Sequence, residues 1–199
     1  FICVPTPINK IKKSPNLNFL NQVVKELKSI IKPNDLIILE STSPIGTTRK
    51  FYQELMHHCN KRHNSLSSKI YMSYCPERIL PGNVIFELSN LDRVIGGVDL
   101  KSSKLAFEVF KKITNGDCFT TSSEVAETVK LSENSFRDVN IAFANEISNI
   151  CSEKNINFNE VRLLANKHPR VNILNSGIGV GGHCIPVDPW FLISKQKKL

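Results

Sequence analysis

No apolar run in this 199-residue sequence approaches the roughly 18 residues that a membrane-spanning helix needs, so the sequence predicts no contact with a membrane. The six cysteines are scattered and include no CxxC pair. This pattern argues against a disulfide framework or a metal site, and it favours reduced thiols and a cytoplasmic location. The chain also begins without Met and without the charged start of a signal peptide, which suggests a fragment that enters in the middle of a strand.

The positive charge of the chain raises the question of a nucleic-acid partner, because 26 Lys and Arg stand against 18 Asp and Glu. The lysines are mostly dispersed over apparent helix surfaces, and residues 195–198 form the one dense basic run. Attraction of an anionic, phosphate-bearing substrate accounts for the sign of the charge equally well. We therefore predict no nucleic-acid partner.

Residues 1–121 alternate short apolar runs with amphipathic segments. Residues 36–39 form a continuous apolar run, typical of a parallel strand buried on both faces, and residues 17–31 carry apolar side chains at helical spacing. The same patterns predict strands at 1–4, 70–75, 93–97 and 118–121, helices at 47–58 and 102–114, and a polar loop at 59–68. This alternation predicts an α/β fold with a partial Rossmann-like, doubly wound parallel sheet.

Residues 121–154 contain neither Gly nor Pro and open on a capping box from Thr121 to Glu124, which predicts one long helix. A shorter helix, capped by Asn157, follows to about residue 166. An apolar stripe on the long helix exceeds what a small domain can cover, so we expect a homodimer through this helix. We divide the chain into 1–121 and a helical central domain at 122–199. The stripe consists of Val125, Val129, Phe136, Val139, Phe143, Ile147 and Ile150.

Four glycines, at positions 177, 179, 181 and 182, stand just before Cys184. Glycine is favoured where the backbone needs a positive φ or approaches a ligand closely. A cysteine after such a loop, ahead of a helix-compatible segment, is placed like a nucleophile whose pKa a helix N-terminus and cations would lower. The alternative is a buried, inert cysteine beside a tight turn.

Other polar residues stand at predicted strand ends. Thr6, Thr42 and Glu77 each follow a strand, and ligands gather at the carboxyl ends of parallel strands. Plain alternatives are a helix cap for Thr42 and a surface ion pair between Glu77 and Arg78. Asp188, four residues after the cysteine, could equally be a turn residue.

Lys130, Asn134 and Arg137 lie on one face of the long helix, at intervals of four and three residues. A solvated helix face is the plain alternative. A thiol nucleophile, a lysine–asparagine pair for an oxyanion and two carboxylates together suit chemistry at a carbonyl with a covalent thiol intermediate.

Six segments carry more specific motifs: residues 4–7 (VPTP), 40–48 (ESTSPIGTT), 75–82 (CPERILPG), 93–97 (RVIGG), 126–142 (AETVKLSENSFRDVNIA) and 181–184 (GGHC). In order and approximate spacing they resemble the UDP-glucose/GDP-mannose (nucleotide-sugar 6-) dehydrogenase family over essentially the whole chain. The resemblance implies oxidation of C6 of a UDP-sugar from alcohol to carboxylate in two hydride transfers to NAD, through a cysteine thiohemiacetal and thioester.

Within that family, Arg78 after Pro-Glu, His183 before the cysteine and the segments 168–174 and 188–191 resemble enzymes for N-acetylated sugars. Glucose-type members carry a second Glu where Pro81 stands. The resemblance implies a UDP-N-acetyl-hexosamine substrate, UDP-N-acetyl-D-mannosamine first and UDP-N-acetylglucosamine second. A truncated, inactive remnant that serves for dimerisation is the alternative outside catalysis.

The resemblance also implies roles for single residues. Cys184 would attack the C6 aldehyde, and Lys130, Asn134 and Asp188 would stabilise the alkoxide or position the base and water. Glu77 and Thr42 would hold the surroundings of the aldehyde and the hydrolytic water. Thr6 and Thr42 would lie near NAD. The substrate contacts would come from Arg78, Arg137, Asn140, His183 and, across a dimer, Arg170.

Two parts of the family pattern are missing from the sequence: the first βαβ unit with its GxGxxG loop and ribose-binding acid, and the C-terminal UDP-binding domain. Residues 177–182 do not replace the loop, because no strand precedes them and no acidic residue follows at the required distance. We therefore expect this chain by itself to bind NAD and UDP poorly and to be inactive.

Overall fold

The structure, a computed structural model, describes residues 1–9, 11–62, 69–79 and 82–194. Pro81, the basic run at 195–198 and most of the predicted loop at 59–68 lie outside the described residues. The chain forms two compact units, one of residues 1–130 with the stretch from 190 onward, the other of residues 131–189. The domain boundary between residues 121 and 122 stays a prediction.

The elements follow in chain order, and their bounds are these: β1 (Ile8–Asn9), β2 (Ser14–Pro15), α1 (Asn18–Ile30), β3 (Leu36–Leu39), α2 (Thr47–Arg62), β4 (Tyr71–Tyr74), α3 (Val84–Asn90), β5 (Arg93–Gly97), α4 (Leu100–Phe110), β6 (Cys118–Ser122), α5 (Ser123–Glu153), α6 (Phe158–Ala165) and α7 (Asp188–Ile193). The hairpin of β1 and β2 and the helix α3 have no counterpart in the sequence-based prediction. The strand predicted at residues 1–4 is reduced to a single parallel bridge from Ile2 to Leu39.

The main sheet has the order β3-β4-β5-β6. The predicted α/β fold with a Rossmann-like sheet is confirmed, but one strand pair in the sheet is not parallel. β3–β4 and β5–β6 are parallel pairs, whereas β4 and β5 run antiparallel through Ser73–Gly97 and Tyr74–Gly96. The reason lies in the connection, where α3 buries none of its residues and so does not pack along the sheet as a crossover helix would.

Helices cover both faces of this sheet. Side chains of a strand alternate between faces, so Ile37 and Leu39 pack with α1 and α2, while Ile38 packs with Phe110 of α4. This explains why β3 is apolar at every position. At Gly96 the sheet meets the start of α5 so closely that a Cβ would lie 2.5 Å from the carbonyl oxygen of Ser122.

The long helix α5 begins at Ser123, one residue later than a cap at Thr121 implies. The Ser122 hydroxyl, not that of Thr121, accepts the hydrogen bond from the N–H of Val125 at 3.3 Å, and Thr121 and Ser122 are the last two residues of β6. The cap predicted for α6 is confirmed, since the Asn157 side chain accepts from the N–H of Asn159 at 3.0 Å. Within the described residues, no helix is long and apolar enough to cross a bilayer.

Candidate functional site

Ile2, β3 and β4 run in the same direction in the first unit. The segments that follow them therefore lie together at the carboxyl ends of the strands. They carry Thr6, Thr42 and Glu77, as the sequence predicts. The N–H of Val4 donates to Ser41 Oγ at 2.8 Å, which ties the segment before Thr6 to the loop that carries Thr42. Thr6 and Thr42 are half-buried at these strand ends, and Thr42 does not cap α2, which begins at Thr47.

Ser43 provides an observation on the cofactor. Its hydroxyl is buried, and it finds no hydrogen-bond partner among the residues that the structure describes. A buried polar atom without a partner is costly and marks a place where a polar group can be accommodated. The loop after β3 therefore fits a polar cofactor beside Thr42.

Lys130 and Glu77 meet in the first unit. The Lys130 ammonium donates to the main-chain carbonyl oxygen of Glu77 at 2.7 Å, so Lys130 is not on a merely solvated face. The Glu77 carboxylate is turned elsewhere: one oxygen accepts from the N–H groups of Arg78 (2.6 Å) and Ile79 (2.8 Å), and the other faces Arg93. Arg78 is exposed, and one of its guanidinium nitrogens donates to the carbonyl oxygen of Asp92 at 3.3 Å.

Glu127, which the sequence-based reasoning did not single out, is fully buried one turn before Lys130. Its carboxylate accepts from the N–H of Gly46 at 2.5 Å and from both the N–H and the hydroxyl of Thr48, at 2.8 and 2.7 Å. Burial raises the pKa of this carboxyl, and the hydrogen bonds from Thr48 and Gly46 oppose the rise. Its place on the same helical side as Leu131 was the signal in the sequence.

In the second unit, Asn134 and Asp188 form a buried pair. The Asn134 side-chain amide donates to a carboxylate oxygen of Asp188 at 2.5 Å, and the two residues are only 8% and 3% exposed. A solvated helix face is therefore wrong for Asn134. Asp188 is the first residue of α7 and is not a turn residue.

Cys184 is exposed, so the alternative of a buried, inert cysteine is wrong. Its carbonyl oxygen accepts from the N–H groups of Val187 (3.0 Å) and Asp188 (2.9 Å), which closes a turn ahead of α7. Gly181 and Gly182 have φ values of +67° and +82°, which confirms the need for glycine at these two positions. His183 is exposed beside them.

The remaining predicted substrate contacts are also in the second unit. The Asn140 amide donates to the carbonyl oxygen of Asn172 at 2.8 Å and accepts from the N–H of Leu174 at 3.2 Å, so it fastens the segment after α6. Arg137 and Arg170 are exposed. The Arg170 guanidinium lies 3.4 Å from the His168 ring.

The first unit thus brings together Thr6, Thr42, Glu77 and Lys130, and the second pairs Asn134 with Asp188 near Cys184 in the chain. Family models for the UDP-glucose/GDP-mannose dehydrogenase family match the chain over most of its length, the NAD binding domain at residues 1–114 and the central domain at residues 124–199. The chain belongs to the UDP-glucose/GDP-mannose dehydrogenase family.

Curated relatives within the UDP-glucose/GDP-mannose dehydrogenase family carry a more specific name than the family does. The chain is 48% identical to a UDP-N-acetyl-D-mannosamine dehydrogenase of Methanocaldococcus jannaschii, over 98% of this chain and 44% of the relative. It is 49% identical to the enzyme of that name from Yersinia pestis, over 100% of this chain and 48% of the relative. The chain therefore spans about half the length of these curated relatives.

A solved structure described as a UDP-D-ManNAc dehydrogenase from Pyrococcus horikoshii superimposes with a TM-score of 0.91 at 40% identity, over 99% of this chain and 46% of that one. The similarity extends through both units, each of which follows the architecture of the family.

Proposed function

We propose that the protein oxidises the C6 hydroxyl of UDP-N-acetyl-D-mannosamine to the carboxylate, with NAD as the oxidant. Identities of 48% and 49% to UDP-N-acetyl-D-mannosamine dehydrogenases support the choice of substrate. The observation that carries the chemistry is the buried Asn134–Asp188 pair, four residues beyond the exposed Cys184. An amide that orients a buried carboxylate close in sequence to a free thiol suits covalent catalysis at a carbonyl.

In this proposal NAD supplies the hydride acceptor for both oxidations. Thr6 and Thr42 would hold part of it at the carboxyl ends of the strands, where the buried hydroxyl of Ser43 has no hydrogen-bond partner among the described residues. The Cys184 thiolate would attack the C6 aldehyde to form a thiohemiacetal. Loss of a hydride and a proton from the thiohemiacetal, the second oxidation, would leave a thioester, which water would hydrolyse to the carboxylate with release of the thiol.

The neighbouring side chains hold and move protons in this proposal. The Lys130 ammonium offers a positive charge to the oxyanion, and the Asn134 amide keeps the Asp188 carboxylate oriented towards a reacting water. Arg78, Arg137, Asn140, His183 and Arg170 are proposed substrate contacts. For Asn140 the proposal is indirect, because its amide already holds the 172–174 backbone.

We also propose that the protein is a homodimer through α5. Four apolar side chains of the predicted stripe, spaced three, four and seven residues apart, are exposed in the single chain: Phe136 63%, Val139 67%, Phe143 50% and Ile150 52%. A repeat of this kind on one helix suits packing against a second copy. A cytoplasmic location remains part of the proposal, supported by six cysteines that are all free.

An assay of the full-length protein with NAD and a panel of UDP-sugars tests the function. NADH formation with UDP-N-acetyl-D-mannosamine above that with UDP-N-acetylglucosamine and UDP-glucose supports the proposal, and a preference for either of these reassigns the substrate. Cys184→Ser should lower uronate formation by several orders of magnitude, because a hydroxyl is the poorer nucleophile and leaving group. Cys118→Ser, a matched change on β6, should leave the rate unchanged. No turnover with any sugar would support the inactive dimerisation remnant instead.

A further inference from the structure

Arg93, the first residue of β5, is a buried cation with an incomplete set of partners. It is 2% exposed, and its guanidinium carbon lies 5.7 Å from the centre of the Phe110 ring. One terminal nitrogen lies 3.3 Å from the Glu77 carboxylate and the other donates to the carbonyl oxygen of Leu88 at 3.3 Å. Its Nε has no hydrogen-bond partner in the part of the chain that the structure describes.

The buried pairing of Arg93 with Glu77 is only weak evidence for a contribution to the stability of the fold. Taking a guanidinium out of water is expensive, and an apolar residue of similar volume often stabilises a buried position as well or better than an ion pair. The surroundings offer such packing, because Arg93 stands against the Phe110 ring on the apolar side of α4. We interpret a charged side chain kept at such a buried position as one that holds a neighbouring group in place.

The neighbouring group that Arg93 holds is the Glu77 carboxylate. Because β5 runs antiparallel to β4, the first residue of β5 lies towards the end of β4, where Arg93 reaches Glu77. The Glu77 carboxylate stands between the Arg93 guanidinium on one side and the N–H groups of Arg78 and Ile79 on the other. This double attachment fixes the turn after β4.

This turn presents the main-chain carbonyl oxygen of Glu77 to Lys130. The carbonyl of Glu77 receives the Lys130 ammonium at 2.7 Å, so the position of the ammonium depends on the turn that the carboxylate holds. We propose that Arg93 is a positioning residue that acts through Glu77 to set the place of the Lys130 ammonium. Its catalytic consequence rests on the proposed function, in which Lys130 faces the oxyanion.

The fork of the arginine side chain matters for this role. Two terminal nitrogens reach the Glu77 carboxylate and the Leu88 carbonyl at the same time, which a lysine ammonium on a flexible stem does not reproduce. Arg93→Lys keeps the charge and removes the fork. Arg93→Met keeps the volume and removes the charge, so the fold should persist.

Acetylation of lysines, measured residue by residue by peptide mass spectrometry on the 199-residue chain, tests the geometry without any assay of activity. In Arg93→Met and in Arg93→Lys, Lys130 should react about threefold faster or more, because its acceptor is no longer held. Lys28 and Lys69, which pair with Glu54 and Asp99, should react at their original rates.

Phe110→Leu is the matched control, since it loosens the same corner and keeps the guanidinium, and it should leave the Lys130 rate unchanged. An unchanged Lys130 rate in both Arg93 variants overturns the proposal. Equal acceleration of Lys28 and Lys69, or acceleration of Lys130 by Phe110→Leu, also overturns it, because the role of Arg93 would then be general stability.

Kinetics of the full-length enzyme test the consequence for catalysis. Arg93→Lys should lower kcat about tenfold or more, with KM for the UDP-sugar nearly unchanged, because a misplaced ammonium weakens the transition state more than the ground state. A raised KM with an unchanged kcat overturns the catalytic part. A wild-type protein that oxidises no UDP-sugar refutes the proposed function, and the acetylation rates still decide the role of Arg93.

Discussion

At the scale of single residues, Glu127 shows how a helix terminus is satisfied from outside its own segment. The start of α2 has no acidic residue in its first turn, and Glu127 of α5 supplies the carboxylate that accepts from Gly46 and Thr48. A negative charge at the N-terminus of a helix is favourable. Glu127 also lies one turn before Lys130, so neighbouring turns of α5 carry the carboxylate that anchors α2 and the ammonium proposed to act in catalysis.

The thiols provide a test at this scale. The pKa of Cys3 is raised to about 11, first by partial enclosure of its sulfur and then by the Glu40 carboxylate, to which the thiol donates at 3.0 Å. Burial raises the pKa of Cys75 to about 12. With a thiol-specific reagent at pH 8 we expect Cys184 to react first, Cys3 slowly and Cys75 only after unfolding, because the thiolate is the reactive form.

Glu40→Gln should speed the reaction of Cys3 several-fold and leave Cys184 unaffected. Peptide mass spectrometry after timed quenching gives the rate at each cysteine. Cys3 reacting as fast as Cys184 in the unmutated chain would contradict this account.

At the scale of elements, α2 and α5 are joined by an ion pair between Arg49 and Glu124, in which a second nitrogen of the guanidinium donates at 3.2 Å. The hydrogen bond from Arg49 lowers the pKa of Glu124 to about 2 from 4.5. A lowered carboxyl pKa contributes stability that is present above the ordinary value and lost as the pH falls towards the folded value. Acid should therefore weaken the junction of these helices.

Glu124→Gln should lower the free energy of unfolding at pH 7 by about 1 kcal/mol, since partial exposure to solvent screens the pair. The difference from the unmutated chain should shrink between pH 4.5 and pH 2. Urea titrations at several pH values measure it, with Glu146→Gln, an exposed carboxylate further along α5, as the control. A difference that stays constant down to pH 2 would refute the assignment.

Local pattern was sufficient for most elements and insufficient for their pairing. The apolar run at β3 and the uninterrupted polar–apolar periodicity of α5 are properties of short stretches of sequence, and both elements form as predicted. The direction of β5 depends on how the chain crosses residues 75–92, which periodicity does not encode. For the same reason Arg93 did not stand out, because its partner Glu77 is 16 residues away along the chain.

The candidate site divides in the same way. Strand ends predicted the positions of Thr42 and Glu77, whereas the common site of Lys130 and Asn134 that their helical spacing indicates stays a prediction. The sequence did not predict which atoms of Glu77 make the contacts. Its carbonyl oxygen accepts from Lys130, and its carboxylate holds the turn. Such a choice depends on backbone direction after β4.

At the scale of the whole molecule, the proposed dimer predicts the effect of a charge in the exposed stripe of α5. Phe143→Asp should shift the full-length protein from dimer to monomer in sedimentation equilibrium, because a carboxylate would have to be buried without a partner. Asn149→Asp adds the same charge at an exposed polar position of the same helix and should leave the mass unchanged. If the unmutated protein sediments as a monomer, the proposed dimer is refuted.

The short antiparallel step between β4 and β5 also has a mechanical meaning. Two residue pairs join these strands, whereas the flanking parallel pairs have registers of four and five residues. Under tension applied across the strands, the sheet would part at this junction into two intact ribbons. The helix α4 packs on Ile38 on one side of this junction and on Ile95 on the other, so its apolar contacts hold the two halves of the sheet together. Resistance to pulling therefore resides in the apolar contacts of a helix more than in the hydrogen bonds between these two strands.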